Sequence, residues 1–302
     1  MNLGQKKEIL FSAYYKKLNI ISSVLIFLSL LVLFIKGLNF GVDFKGGTLI
    51  EVRTENSTTN IGDIRRSLLK MELGDVTVKK FGKENDYLVK IEITDTTDAN
   101  FIKSINDQLS SDLATNVNFR RVENVGPKVS KELLEAGVLA ITLALAAMLF
   151  YIWIRFEWQF SLAAIMALIH DVVITLGIFS ILAYEVNLSI VAAVLTIVGY
   201  SMNDTVVIFD RIRENLKKYS KISTLEISDK SINQTLSRTL ITSVTTLLAL
   251  LSIYIFGGAI LKGFSFAMIL GVIVGTYSSI FVATPILNYT KVNQKSVLRE
   301  DN

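Results

Sequence analysis

Cysteine is absent from the 302-residue sequence, and charged residues are scarce. Without cysteine the chain can form no disulfide bond, and thiol chemistry and cysteine-based metal sites are excluded. Lys, Arg, Asp and Glu together make up 19% of the residues, and the formal net charge is only +4. Because the basic residues lie beside hydrophobic segments instead of forming one stripe, we expect no nucleic-acid partner.

Hydrophobic residues are abundant instead, at 51% of the chain, and the mean hydropathy is +0.48. A soluble domain could not easily bury so many, since a single core stops growing at about 250 to 300 residues. A helix needs about 20 apolar residues to cross about 30 Å of hydrocarbon. We therefore predict a polytopic α-helical membrane protein in the lipid bilayer, with six membrane helices at residues 18–38, 134–154, 159–183, 188–209, 239–256 and 264–287.

The basic residues also predict the orientation of the chain. Lys16 and Lys17 precede the first span, as do Lys6 and Lys7, and several more basic residues lie between the fourth and fifth spans. The positive-inside rule places these segments in the cytoplasm. We expect cytoplasmic tails at 1–17 and 288–302, a domain on the outer side of the membrane at 39–133, and a five-helix region at 134–287 that contains a cytoplasmic loop at 210–238.

The predicted outer segment at 39–133 contains stretches in which apolar and polar residues alternate, as is typical of strands. Strands at 48–53, 76–81, 87–94 and 117–123 interleave with two amphipathic helices, which gives the order βαββαβ. This order predicts a ferredoxin-like α+β domain. It contains no pair of catalytic groups, so we assign no enzyme chemistry to it. The 1+5 layout of the spans is typical of half a transporter, and we expect a second, homologous chain.

Asp204 is the most informative ionisable residue within the spans. A charged side chain at a membrane-helix centre costs about 2.5 to 3.5 kcal/mol on insertion scales. The neighbours Ser201, Asn203 and Thr205 make this turn of the fourth span polar. A proton-binding site explains the cost. The alternative is a polar helix-packing cluster, whose hydrogen bonds contribute about 0.6 kcal/mol each.

Arg238 opens the fifth span and can reach the depth of Asp204. A carboxylate and a guanidinium there could couple proton uptake to a change of partner. The alternative is a basic anchor that snorkels to the interface. Thr239 and Thr242 place hydroxyl groups on the same helix, either along a wet path or as ordinary packing residues.

Two further sets of residues have a structural alternative. His170 and Asp171 lie within the third span, either as a second protonatable or gating group or, as we slightly favour, as a pair satisfied within the bundle. Glycines bracket the segment after the first span and form a GxxxG motif in the sixth, where we expect strained or tightly packed backbone. These structural-motif residues are Gly41, Asp43, Gly46, Gly47, Gly271 and Gly275.

Several segments, taken in order, resemble the SecD/SecF family of protein-export membrane proteins in the RND-type superfamily. They are GVDFKGG at 41–47, VGP at 125–127, IHD at 169–171, GYSMNDTVVIFDRIREN at 199–215, SRTLITS at 237–243 and FSFAMILGVIVGTYSSIFVATP at 264–285.

The resemblance implies a bacterial inner-membrane protein whose domain at 39–133 is periplasmic. It also implies a heterodimer with SecD beside the SecYEG channel, with SecA and YajC as further partners. It also implies use of the proton-motive force to pull unfolded preprotein out at a late stage. Asp204 would be the proton-linked carboxylate and Arg238 its basic counterpart. We expect no cofactor, and the coupling ion would be the proton, with sodium as the alternative.

Two other functions share some of these features. One is half of an RND-type small-molecule or lipid exporter, although the outer segment is short for that class. The other is an intramembrane aspartyl protease that uses Asp171 and Asp204. The sequence around Asp204 lacks the GxGD turn of such proteases, which argues against this reading.

Overall fold

The computed structural model describes residues 8–55, 59–80, 82, 84–92, 99–219 and 221–298. The expectations for Lys6, Lys7, Phe81, positions 93–94 and the tail beyond 298 fall outside these residues. The chain divides into two compact units. One contains the membrane helices and includes Ala140–Tyr184 and the chain from Ser189 onward, and the other comprises Phe40–Leu139 and Glu185–Leu188.

The described elements follow a simple order along the chain. After a 3₁₀ turn at Phe11–Tyr14 they are α1 (Tyr15–Lys36), β1 (Asn39–Phe40), α2 (Val42–Lys45), β2 (Gly47–Thr54), α3 (Ile61–Leu69), β3 (Val76–Lys80), β4 (Asp86–Ile91), α4 (Ala99–Leu113), β5 (Val117–Val125), α5 (Pro127–Arg155), α6 (Trp158–Leu182), β6 (Glu185–Val186), α7 (Leu188–Lys218), α8 (Thr224–Phe256), α9 (Gly258–Ser278), a π-helical turn (Ser279–Ala283), α10 (Thr284–Tyr289) and α11 (Gln294–Leu298).

The six predicted membrane helices are confirmed. In the part of the chain that the structure describes, six helical segments are long and apolar enough to cross a membrane, and they correspond to α1, α5, α6, α7, α8 and α9 with its extension into α10. About half of the most hydrophobic stretch of α6, α7 and α9 is buried inside the protein, whereas α1, α5 and α8 are mostly exposed. The polar side chains of the membrane unit therefore concentrate where α6, α7 and α9 pack together.

The segment at 210–238, which is predicted to connect two spans, is largely helical. α7 continues to Lys218, and α8 already begins at Thr224. The start of α8 is capped by Ser223, whose side chain accepts a hydrogen bond from the backbone N–H of Glu226. Hydropathy alone does not identify these helical extensions because many of their residues are polar.

The second unit contains the predicted βαββαβ order, with strands close to the expected bounds. The strands lie in the order β3-β4-β2-β5, and each described pair of neighbours is antiparallel. This is the split βαβ arrangement. Ile64 of α3 and Ile105 of α4 are fully buried against Ile50 and Val89 of the sheet, so the two helices share one core with it.

The glycines of the sixth span lie against α7. A Cβ on Gly271 would lie 2.2 Å from Ile197 Cγ1, and one on Gly275 would lie 2.9 Å from Ser201 Cβ. Real Cβ contacts are essentially never this short. The two helices approach so closely because these positions have no side chain, and this approach brings Ser201 against the residues that follow Gly275.

Candidate functional site

Asp204 lies within α7, and its side chain is buried with 3% exposure. Ser201 and Thr205 are buried on the same side of the helix, whereas Asn203 is exposed. This distribution follows from the helical period, since residues three and four apart share a face. The carboxylate oxygen Oδ2 of Asp204 is buried and has no hydrogen-bond donor. The site therefore contains an acceptor that a proton or a water molecule could satisfy.

Arg238 lies on α8, exposed, and its charge acts on the Asp204 carboxylate. No ion pair within 4.0 Å joins the two described side chains. Ser243 and Thr276, whose hydroxyl oxygens are 2.8 Å apart, lie beside the same carboxylate. The two predicted coupling residues are thus near neighbours with separated charges.

The two threonines predicted on α8 behave differently from each other. Thr242 donates its hydroxyl to the backbone oxygens of Arg238 and Thr239, at 3.1 and 3.0 Å, so it satisfies its own helix. Thr239 is buried, and its hydroxyl has no partner. Of the two, Thr239 is the one whose hydroxyl remains available.

Asp171 is the centre of a second buried cluster. Its Oδ1 lies 2.8 Å from His170 Nδ1, and its Oδ2 accepts hydrogen bonds from Ser201 Oγ at 2.5 Å and Ser278 Oγ at 2.8 Å. Thr175 donates to its backbone oxygen. The carboxylate of Asp171 thus ties α6 to both α7 and α9.

The Asp171 cluster continues into a set of hydroxyl groups around the π-helical turn. Thr205 Oγ1 lies 2.8 Å from Ser279 Oγ, and both Ser278 and Ser279 donate to the backbone oxygen of Gly275. Ser243, Thr276, Ser278 and Ser279 are site residues that the sequence reasoning missed. The only signal was the run of hydroxyl residues in GTYSS at 275–279, which is ordinary in membrane helices.

The predicted glycine motif at 41–47 lies in the unit that contains the four-stranded sheet, and it follows α1 along the chain. Asp43 accepts a hydrogen bond from the backbone N–H of Leu188 at 2.9 Å, at the first residue of α7. Gly41 donates its backbone N–H to Val186. Gly46 and Gly47 have φ values of 80° and 115°, which side chains disfavour. The motif therefore has a local structural role at the start of α7.

The described residues contain no group of three or more His, Cys, Asp or Glu side chains placed to hold a metal ion.

Comparison with protein-family models matches two parts of the chain. Residues 105–293 match the model described as "Protein export membrane protein SecD/SecF, C-terminal", and residues 31–58 match "SecD/SecF GG Motif". Curated relatives agree. The chain is 47% identical over 252 residues to "Protein translocase subunit SecF" of Rickettsia bellii, with 82% of each chain covered. It is also 47% identical to the protein of that name from Vibrio alginolyticus, with 93% of this chain and 90% of the relative covered.

Solved structures of SecDF are similar in fold. The crystal structure of SecDF from Thermus thermophilus, described as a translocon-associated membrane protein, superposes with a TM-score of 0.86 at 34% identity over 95% of this chain. A SecDF structure in a super-membrane-facing form gives a TM-score of 0.71, also at 34% identity, over 99% of this chain. The chain spans only 39% and 41% of the length of those two proteins.

Proposed function

The chain belongs to the SecD/SecF family of protein-export membrane proteins, and on that basis we propose that it couples the proton-motive force to a late step of preprotein translocation. The motif resemblance is confirmed. The chain is a multi-pass inner-membrane protein translocase subunit of the same kind as its SecF relatives, and a transport subunit rather than an enzyme. The observation that carries the proposal is the buried, incompletely satisfied Asp204 carboxylate beside Arg238.

A SecD partner is the first part of the proposal. The SecDF chains are more than twice as long as this one, so more than half of each lies outside the part that matches this chain. Asn203 and Arg238 are exposed within membrane helices, where polar and charged groups are costly in contact with lipid. A partner that covers these two positions would remove the cost of their contact with lipid. We propose SecD for this role, with SecYEG, SecA and YajC in the wider assembly.

The proposed orientation places both tails in the cytoplasm and the sheet unit in the periplasm. It is supported by the basic residues beside the ends of α1, α7 and α8. The sheet unit would then meet preprotein as it leaves the channel. Unfolded preprotein is the substrate in this scheme, as expected for a relative of the protein translocase subunit SecF.

The proposed cycle uses Asp204 as the proton carrier. In its charged form the carboxylate is stabilised by the nearby Arg238 guanidinium, and in its neutral form it no longer holds that group. Alternation between these forms would let α8 move relative to α7. A charge that crosses 100 mV releases about 2.3 kcal/mol, which suffices to bias a domain motion but not to unfold a stable protein.

The protease alternative is disfavoured by the contacts of Asp171. Catalytic aspartates of that type share a proton between two carboxylates. Both oxygens of Asp171 are occupied by His170, Ser201 and Ser278, and the described residues show no hydrogen bond between Asp171 and Asp204. The two carboxylates therefore belong to separate clusters.

The proposal is tested by depleting the chain and following release of a late-stage preprotein from inner-membrane vesicles. Release should depend on both the chain and a proton gradient, and a proton ionophore should abolish it. Replacement of the proton gradient by a sodium gradient distinguishes the coupling ion. Normal gradient-dependent release in depleted vesicles, together with drug or lipid sensitivity of the depleted cells, would favour an exporter and contradict the proposal.

A further inference from the structure

The only histidine of the chain, His170, lies within α6 and is hydrogen-bonded to its neighbour Asp171. Their side chains are 1% exposed. A buried carboxylate without compensation costs several kcal/mol. His170 is the only basic side chain that the described part of the structure brings to Asp171. The proposed cycle at Asp204 uses neither residue, so the burial of this pair needs its own explanation.

The contacts of the Asp171 carboxylate suit a negative charge. Three donors reach it: the imidazole at Oδ1 and the hydroxyls of Ser201 and Ser278 at Oδ2. Hydrogen bonds to an ionised acceptor are about twice as strong as those between neutral groups. The charged form of Asp171 is therefore accommodated whether or not the histidine carries a second proton.

The other ring nitrogen of His170 is the open position of the cluster. Nε2 is buried and has no hydrogen-bond partner among the residues that the structure describes. The ring stacks on Tyr277 with 6.0 Å between centroids, and the Tyr277 hydroxyl is itself engaged by Ser22 Oγ at 2.8 Å and Leu18 O at 3.0 Å. An imidazole with one nitrogen fixed by a carboxylate and the other unpartnered can gain or lose a proton only at the second nitrogen.

We propose that the His170–Asp171 pair is a second proton-binding site of the membrane unit, which binds and releases one proton at His170 Nε2. With a hydrogen on Nε2, the imidazolium and the carboxylate form a neutral pair. When Nε2 gives that proton to a water molecule, Nδ1–H remains bonded to Asp171 and the pair carries one negative charge. One proton and one charge leave together, and the other contacts of Asp171 are unchanged.

The charge of this pair acts on the helix that carries Asp204. Ser201 precedes Asp204 by three residues, and Ser278 directly precedes the π-helical turn, a feature frequent at functional sites. The hydrogen bonds from Ser201 and Ser278 reach an ionised carboxylate in both states, and they become stronger when the positive charge of the imidazolium is lost, which holds α7 and α9 to α6 more strongly. The groups that face the pair are Tyr277 and Ser278 of α9, Ser201 of α7 and, through Tyr277, Ser22 of α1; the next ionisable residue along α7 is Asp204.

Nitrogen NMR tests the inference directly, because the chain contains a single histidine. The full chain, carrying an affinity tag without histidine, is labelled with ¹⁵N-histidine and reconstituted in lipid bilayers. We expect Nδ1 to stay protonated while Nε2 is found both protonated and bare across a series of pH values. In Asp171→Asn, loss of the carboxylate should let the two neutral tautomers mix. A protonation state of Nε2 that stays the same across the pH series would overturn the inference.

A preprotein-release assay adds a measurement that a purely structural role of His170 would not change. This second experiment rests on the proposed function. His170→Asn keeps an N–H donor toward Asp171 but cannot exchange a proton. We expect it to remove the part of the pH dependence of gradient-driven release that His170 contributes, so that its pH profile differs from that of the wild type at normal levels of assembled complex. Tyr277→Phe, which keeps the ring stack, should retain the wild-type profile.

The outcomes of the two proposals remain distinguishable. A wild-type pH profile in His170→Asn, with gradient dependence lost in Asp204→Asn, would overturn the second site and leave the proposed function standing. If Asp204→Asn releases preprotein normally, the proposed function fails, and the state of Nε2 still decides whether His170 binds a proton.

Discussion

Arg238 influences the Asp204 carboxylate as a charge, but the two side chains form no ion pair. Asp204 is buried with one oxygen unpartnered, whereas Arg238 is exposed. A fixed ion pair would hold the carboxylate ionised in every state. The separated arrangement leaves room for a change of distance between α7 and α8, which is what proton coupling requires.

Close packing of α9 on α7 is tested by adding one methyl group. Gly271→Ala would place its Cβ 2.2 Å from Ile197 Cγ1, so one of the helices must shift. We expect a loss of about 1 to 3 kcal/mol in the free energy of unfolding, as for other overpacked sites. The measurement is unfolding of the purified protein in mixed micelles.

Gly263→Ala is the matched control on the same helix. Its Cβ would lie 3.4 Å from Ile190 Cδ1, an ordinary contact, and alanine is the better helix former by about 1 kcal/mol. This variant should be as stable as the wild type or more so. Equal losses in both variants would contradict close packing at Gly271.

The glycine at the start of β2 has a different constraint. Gly47 has a φ of 115°, and a Cβ there would lie 2.5 Å from the backbone oxygen of Ile91. Gly47→Ala should destabilise the sheet unit by about 1 to 3 kcal/mol, seen as faster protease cleavage within it. Gly126→Ala, where a Cβ meets nothing within 4 Å, should be cleaved at the wild-type rate. Equal cleavage of the two variants would show that the Gly47 backbone adapts.

Acid should weaken the contact between α3 and α4. The Lys70 ammonium, which donates to Asp112 at 2.9 Å, lowers the pKa of that carboxyl from 3.8 to about 2, and Gln108 also donates to it. Because the folded-state pKa is the lower one, the stabilisation is complete above about pH 4 and is lost as the pH falls through about 2. We expect amide hydrogen exchange in α3 and α4 to be slower in the wild type than in Asp112→Asn above pH 4, and the two to converge near pH 2. A difference that persists unchanged at pH 2 would contradict this assignment.

The sequence was sufficient for the membrane helices and the sheet order because each depends on a local pattern. About 20 apolar residues mark a span, and alternation marks a strand. Hydropathy alone does not mark the parts of α7 and α8 that lie within residues 210–238, because these parts are polar. The Ser223 cap with Glu226 three residues later was the available signal for the start of α8.

The candidate site was only partly predictable for a different reason. Asp171 and Asp204 stand out in the sequence because charge in a membrane helix is rare. Their hydroxyl partners do not, since Ser278 and Ser243 look like ordinary packing residues and only the register between helices brings them to a carboxylate. Thr242, for which the sequence left both a wet path and ordinary packing open, is bonded to its own backbone.

The most direct test of the account compares two Asp→Asn changes on α7. Asp204→Asn removes the buried carboxylate, whereas Asp210→Asn removes a partly exposed one that is paired with Arg155 at 3.1 Å. Both variants are compared for preprotein release from vesicles with and without a proton gradient, at equal levels of assembled complex. We predict that Asp204→Asn loses the acceleration by the gradient and that Asp210→Asn keeps it. Gradient-driven release at the wild-type rate in Asp204→Asn would contradict the account and leave Asp204 as a packing residue.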